Sequence, residues 1–491
     1  MDILIKILQF ILSLSILIIV HEFGHFFFAR LFKMRVDKFY MFFNPYRSIV
    51  KFKKINGTWK VKWFSHNDKS TRIKLDENGI EVRDKKGRTQ AELIPIDELP
   101  DDNWNKYPET TEWGLGWLPF GGYCKISGMI DESMNMEQLK QAPQPFEFRA
   151  KPAWQRLFVM IGGVLFNIIL AIAIYWGILF TWGESYIANR DVKNGISCSP
   201  LAKEIGFMNG DKILNLDGDT IENFDEIPIK IIRNRVKNVE IERKGETLII
   251  PIPDTCISQM LKNRDFISPR IKFIVSSFQE ESPAQEAGFE ANDRVIAIDS
   301  QNVEYFDEAG PLLYENKSKT IDITIVRGND TLVLATQISE FGKIGVGLHD
   351  PTLKITHLSY GFFEAFPAGI NKGIKGIKDY IKDLGLIFSP KTKAYESLGS
   401  FIAIGNIFPS WWSWEKFWKL TALLSIMLAV LNILPIPALD GGHTMFVLYE
   451  IIFRRKPSDK FLEYAQMVGL VILLCLMMFA IGNDIFNFVL K

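Results

Sequence analysis

Four long apolar runs dominate this chain: residues 3–32, 154–182, 417–439 and 465–490. Each is near the ~20 residues that a helix needs to cross the hydrocarbon of a bilayer. Lipid offers no water to free backbone groups, so such runs are confined to helices or closed barrels. The first run exceeds the usual ~7–15-residue apolar core of a signal peptide, and no small-x-small cleavage site follows it. It is read as a retained membrane helix. The expected fold class is a multi-pass α-helical membrane protein with four spans.

Charge sets the expected orientation. The short loop "FRRKPSDK" after residue 452 carries four bases and one acid, and residues 30–54 and 149–156 are also rich in Lys and Arg. The positive-inside bias puts these segments in the cytoplasm, so both termini and residues 183–410 face outward. "WWSWEKFW", 411–418, fits an aromatic belt at the outer interface. Over the whole chain 57 basic residues balance 57 acidic ones, which gives no case for a nucleic-acid partner.

The outward loop repeats itself. "SPLAKEIGFMNGDKILNLDGDTI" begins at Ser199 and "SPAQEAGFEANDRVIAIDSQNV" at Ser282. From Gly206 and Gly288 onward the copies align without gaps, through Asp211 or Asp293 to Asp217 or Asp299. That order means two copies of one small β-rich module. They resemble PDZ domains, which capture extended peptide ends at a sheet edge. Cys198 and Cys256 share one module and are able to pair in an oxidising space. Cys124 and Cys475 stand apart, and no CxxC pair occurs. Downstream, Ile370, Ile374, Ile377, Ile381 and Leu384 recur at helical spacing, with Lys372, Lys375, Lys378 and Lys382 between them. This is either a surface helix resting on the membrane or one packed against a neighbouring domain.

The chemistry lies inside the first run. Its "HEFGH" places His21 and His25 four apart, on one helix face, with Glu22 beside them. His-Glu-x-x-His is the zinc-hydrolase arrangement: two imidazoles bind the ion and the carboxylate takes a proton from the water it activates. Ionisable groups in a spanning helix are costly and mark function. The bland reading is a polar trio joining helices. A catalytic site needs a third ligand, and none follows nearby: the next Glu is Glu77 and the next His is His66. "LNILPIPALDGGHTMF", 431–446, supplies the candidates. Asp440 is one and His443 competes with it; Asp440 alternatively caps a helix. Gly441 and Gly442 would let the backbone come close and turn.

HEFGH in the first span, with "NILPIPALDGG" far downstream, resembles the site-2 protease family of intramembrane zinc proteases. Its bacterial branch that regulates the sigma-E envelope-stress response also carries tandem PDZ domains, and "RAKPAWQRLFVMIGGVLFNIILA" and "LPFGGYCKISG" match that branch's pattern. The resemblance implies that His21, His25 and Asp440 bind Zn2+ and that Glu22 is the general base. It also implies a bacterial inner membrane and substrates that are single-span membrane proteins, trimmed beforehand by a site-1-type protease. They would be an anti-sigma factor, remnant signal peptides or both. Two departures stand out. "MFFNPYRS" lacks the glycines usual after the first helix, and about sixty residues separate Phe52 from Thr111 ahead of "LPFGGY".

The expected organisation follows. Residues 1–33 form the first span, 34–150 a cytoplasmic-side loop with a membrane-associated β-hairpin, and 151–183 the second span. Residues 184–268 and 269–352 are PDZ-like domains, and 353–410 is an amphipathic outer-face segment. The third span is 411–440, a short cytoplasmic segment 441–464, and the fourth span 465–491. A substrate helix must be unwound and offered other hydrogen bonds. The segment "EWGLGWLPFGGYCKI", 112–126, with Gly121, Gly122 and Tyr123, is read as a hairpin whose edge pairs with the substrate. Pro435 and Pro437 break the third span and free carbonyls. Asn432 bonds the substrate or the oxyanion, or else joins helices. Asn167, Gly162 and Gly163 read as close helix packing. His66, His349 and His357 have no partner motif. The activity expected is an intramembrane zinc endopeptidase. The rivals are an inactive membrane PDZ scaffold with a structural metal, and a zinc transporter.

Overall fold

The structure is a computed structural model. It describes residues 2–68, 71–73, 81, 89, 91–119, 121–129, 142–262, 265–390, 392, 394–397 and 399–488. The chain divides into two compact units. One comprises Met1–Trp182, Tyr360–Ile381 and Gly399–Lys491; the other comprises Gly183–Ser359 and Lys382–Leu398.

Among the described residues, four helices are long and apolar enough to cross a membrane, all in the first unit: Asp2–Leu31, Ala153–Thr181, Trp414–Ile433 and Lys460–Phe486. We label the helices of this unit α1 (Asp2–Leu31), α2 (Ala153–Thr181), α3 (Phe362–Ile387, of which 362–381 belong here), α4 (Trp414–Ile433), α5 (Asp440–Phe453) and α6 (Asp459–Phe488). Helix α1 buries Gln9, Ser13, Leu17, His21 and Gly24, a stripe advancing three or four residues at a time. Polar groups meet between the helices: Thr421 Oγ1 on α4 donates to Ser13 Oγ on α1 at 3.0 Å, and Ser425 Oγ on α4 donates to the Asn167 carbonyl on α2 at 2.7 Å. Helices α1 and α2 touch backbone to backbone. A methyl built on Gly24 would lie 2.2 Å from the Gly162 carbonyl oxygen, and one on Gly162 would lie 2.6 Å from that of Gly24. Small residues permit this approach, as is common between membrane helices.

Residues 362–381 pack along the other helices, not beside them. Methyls built on Gly369, Gly373 and Gly376 would meet Trp176, Ile172 and Ile426 within 2.8 Å. These contacts are with the spanning helices α2 and α4, which neither reading of this lysine-rich helix gave. The third apolar run is likewise not one helix to residue 440. Helix α4 ends at Ile433, residues 434–439 turn back, and α5 starts at Asp440.

A five-stranded sheet lies between α1 and α2 in sequence: β1 (Val36–Met41), β2 (Val50–Ile55), β3 (Thr58–Trp63), β4 (Glu112–Leu115) and β5 (Tyr123–Ile126). Its order is β3-β2-β4-β1-β5. The hairpin expected over 112–126 is corrected here. Strands β4 and β5 do not pair with each other, because β1 sits between them, parallel to β4 and antiparallel to β5. The connecting backbone crosses Phe43, whose N–H and carbonyl both bond Leu118, and Phe120 lies outside the described residues. Strand β5 is left at one edge.

The second unit holds the repeat. Each copy has a four-stranded antiparallel sheet of identical order, built from 212–216, 219–220, 238–243 and 246–251 in one, and 294–298, 301–302, 320–327 and 330–337 in the other. Two separate cores fill them, around Phe207, Ile231 and Ile241, and around Phe273, Ile323 and Ile325. The aligned aspartates do the same work twice. Asp211 and Asp293 are buried and take both oxygens' bonds from Arg243 and Arg327, while also accepting the Met208 and Glu290 N–H groups. Cys198 and Cys256 are both free thiols, so the pairing entertained from sequence is absent; Cys198 is buried, which pushes its thiol up to about 12.

Candidate metal centre

His21 and His25 face the same point because they are one helical turn apart on α1. Asp440 reaches that point from more than four hundred residues away. Its Oδ2 lies 3.1 Å from His21 Nε2 and 3.3 Å from His25 Nε2, and the two Nε2 atoms are 3.3 Å apart. Among the described residues these three form the one group arranged to hold a metal ion. Ligand atoms ~2.0–2.2 Å from one tetrahedral zinc ion are separated by roughly 3.3–3.6 Å, so this triangle has the size of one face of such a site. The buried Asp440 Oδ2 has no hydrogen-bond donor of its own. Two nitrogen donors and one oxygen donor fit zinc with a fourth position open.

Neighbouring groups fix which nitrogen of each ring is free. His25 Nδ1 sits 2.8 Å from the Val159 carbonyl, to which only an N–H can bond, so its lone pair lies on Nε2. His21 Nδ1 faces the Asn167 amide at 3.2 Å, and Asn167 Oδ1 is otherwise a buried acceptor without a donor. The two ends of an amide are assigned from their bonding. With the amide turned end for end, Oδ1 accepts the His21 Nδ1 proton and leaves Nε2 free for metal. Gly163 completes the seat: a methyl there would lie 2.5 Å from His21 Cε1 and 2.6 Å from His25 Nε2.

Asp440 is not a helix cap. The cap position of α5 is Leu439, with no side-chain cap bond, and Asp440 is the first helical residue. The turn that delivers it is tight. Ala438 adopts φ 85°, a left-handed conformation costly for a residue with a Cβ. Methyls on Gly441 and Gly442 would collide with the Leu434 and Ile436 carbonyls at 2.2 and 2.5 Å. His443, the competing ligand candidate, lies outside the triangle but lines the same cavity.

That cavity has a volume of about 770 Å³. His21, Glu22, His25 and Asp440 are among its lining residues, with Gly122, Tyr123 and Asn432. Glu22 is partly buried beside the ligands. Asn432 Nδ2 is 3.5 Å from His21 Nε2. Gly122 threads between the Tyr40 carbonyl and Ile18; a methyl there would be within 2.7 Å of both. Gly121, Pro435 and Pro437 are not among the cavity's lining residues. Pro437 instead packs on α6, where Gly469 leaves room for its carbonyl. Reading the sequence missed Asn44, Lys125 and Gln466, which line the cavity. Buried Asn44 accepts the Tyr123 hydroxyl at 3.0 Å, and the Tyr40 and Tyr123 rings stack at 5.2 Å.

Comparison with known proteins points the same way. The model of Peptidase family M50 matches residues 9–65 and 102–476. The Regulator of sigma E protease of Haemophilus influenzae is 25% identical over 97% of both chains. The Regulator of sigma-E protease RseP of Escherichia coli is also 25% identical, again over 97% of both. A Campylobacter jejuni protein whose name carries the term zinc metalloprotease is 28% identical, over 76% of this chain and 80% of its own.

Proposed function

The chain belongs to Peptidase family M50, and from that premise we propose that it is an intramembrane zinc endopeptidase acting in regulated proteolysis of an envelope-stress response. One observation carries the reading: two imidazoles and a carboxylate converge at 3.1–3.3 Å inside apolar helices, with a second carboxylate, Glu22, alongside. The names of the relatives support zinc as the ion and a sigma-E regulator as the role.

His21, His25 and Asp440 are the residues to hold the ion, which when bound makes a water acidic near neutral pH and polarises the scissile carbonyl. Glu22 receives the proton that water gives up and passes it to the leaving amine. Asn432 donates toward the developing oxyanion. Strand β5, last in the order of the described strands and lining the cavity, is the strand to pair with an unwound substrate. Of the residues predicted to bind substrate, Gly122, Tyr123 and Asn432 keep that role here; Gly121, Pro435 and Pro437 shape the backbone around it.

Substrates on this reading are single-span membrane proteins of the inner membrane, already trimmed by another protease. The two modules of the second unit are PDZ domains that exclude intact bulky outer domains, and they lie with both termini on the outer side. Against an inactive scaffold stands Glu22, since a structural metal needs no base. Co-expression with single-span test substrates should give cleavage by wild type and none by Glu22→Gln. Deleting residues 190–350 should allow cutting of untrimmed substrate. Cleavage by Glu22→Gln would overturn the mechanism, and unchanged selectivity after the deletion would overturn the filter.

A further inference from the structure

The five-stranded sheet is inside out at its β2–β3 end. Alternate residues of a strand point to opposite faces. On β2 the lysines of one face are covered, while the apolar residues of the other face of β2 and β3 are bare. Lys51 and Lys53 are buried, whereas Phe52, Trp59, Val61 and Trp63 are 37%, 60%, 53% and 67% exposed. The register puts the four apolar residues on one face: Phe52 is opposite Val61, while Trp59 and Trp63 flank it. The lysines are satisfied on the other face. Lys51 Nζ donates to Asp68 at 2.7 Å, Lys53 Nζ to the Trp104 carbonyl at 3.0 Å and Lys62 Nζ to the Asp102 carbonyl at 2.6 Å. Buried Trp104 lies under Lys51 and Lys62 at about 5 Å. Asp68, Asp102 and Trp104, from between β3 and β4, thus cover lysines, while Trp59 and Trp63 stay exposed.

What meets the bare face follows from its continuity with α1. Trp113 of β4 is the cross-strand neighbour of Phe52 and Phe39 on this face, and the Phe52 and Trp59 rings are 5.9 Å apart. Trp113 in turn packs on Phe26 of α1 at 5.1 Å, and Phe26 stacks on Phe23 at 6.1 Å. Phe23 and Phe27 are exposed on a helix that reads as a span, so lipid is what they face. One aromatic surface therefore runs from the lipid-facing side of α1 across the sheet to β3. Tryptophan with nearby lysine is the composition of a bilayer's interfacial layer, and Lys54 shares this face.

We propose that Phe52, Trp59, Val61 and Trp63 form a lipid-docking face that holds the β2–β3 hairpin in the interfacial layer of the bilayer crossed by α1. The hairpin then acts as an outrigger, fixing the height of the sheet, and with it the β5 edge, relative to the membrane plane. The inference rests on the reading of α1 as a span.

The test uses the full chain in nanodiscs of phosphatidylethanolamine and phosphatidylglycerol, with Cys124, Cys256 and Cys475 replaced by serine. A fluorophore is attached to Val61→Cys, to Lys60→Cys on the opposite face, or to Ile19→Cys on α1. Lipids carrying a quencher near the headgroup or deep in the chain are then compared. The expected result is loss of emission at position 61 with the shallow quencher, none at position 60, and loss at position 19 with the deep one. Quenching at 19 but not at 61 overturns the proposal alone. Absence of quenching at 19 removes the span and the proposal together. Oxidative cross-linking of Val61→Cys between chains, without quenching, assigns the face to a second copy and also overturns it.

Discussion

Gly163→Ala is the sharpest perturbation of the metal seat. The added methyl would start 2.5 Å from His21 Cε1 and 2.6 Å from His25 Nε2. Ordinary carbon contacts begin near 3.5 Å, so one partner must retreat by about 1 Å. The imidazoles have little freedom to do so. His25 is tied to the Val159 carbonyl on the same helix as Gly163, and His21 faces Asn167 one turn further along it. Separating α1 from α2 instead would disturb the Gly24–Gly162 crossing. Either path opens a ligand triangle that now measures 3.1–3.3 Å. Disturbed ligand orientation costs about 10–100-fold in metal affinity, or ~1.4–2.7 kcal/mol. A catalytic group misplaced by ~1 Å costs about a further 10²-fold in rate. The assay is competitive zinc titration of the purified protein, beside cleavage of a single-span substrate. Gly177→Ala on the same helix is the control, because its methyl meets nothing within 4 Å. Wild-type zinc affinity and turnover in Gly163→Ala would refute the reasoning.

Three further outcomes are expected. Asn167→Ala removes the partner of His21 Nδ1 and should weaken zinc binding about 10-fold or more, in the same titration, with the helical circular dichroism unchanged. In the second unit, burial pushes the Asp293 carboxyl up but its bonds from Arg327 outweigh this and hold it below the ordinary value. That stabilisation is present above the unfolded carboxyl pKa and is lost as pH falls through the lower folded one. Arg327→Ala should therefore lower the Tm of the second unit, measured in the full chain at neutral pH, and the gap from wild type should narrow below about pH 4. Chelation by 1,10-phenanthroline should abolish cleavage, and added zinc should restore it.

Half of the candidate metal site was legible because its signal is local. Four-residue spacing fixes a helix face, and an ionisable trio is conspicuous in an apolar run; between Asp440 and His443 the residues left the third ligand open, and the geometry favours Asp440. The repeat was legible because Asp211 and Asp293 serve one structural purpose in both copies. What escaped was decided by tertiary pairing. Nothing in 112–126 says that β1 inserts between its two strands, because a parallel partner leaves no turn signature. Asn44, Lys125 and Gln466 reach the cavity from separate elements and share no motif. Ala438 takes a left-handed turn where glycine would be expected, so the end of α4 could be read from its prolines but not the path to Asp440. Gly163 was read as helix packing, whereas what it makes room for is the two imidazoles.

Zinc K-edge X-ray absorption on the purified chain and on Asp440→Ala tests the central claim most directly. The account expects two imidazole nitrogens and a carboxylate oxygen at about 2.0–2.2 Å with one lighter position beyond them, and loss of that oxygen shell in the variant. A sulfur shell, or a spectrum unchanged by Asp440→Ala, would contradict it.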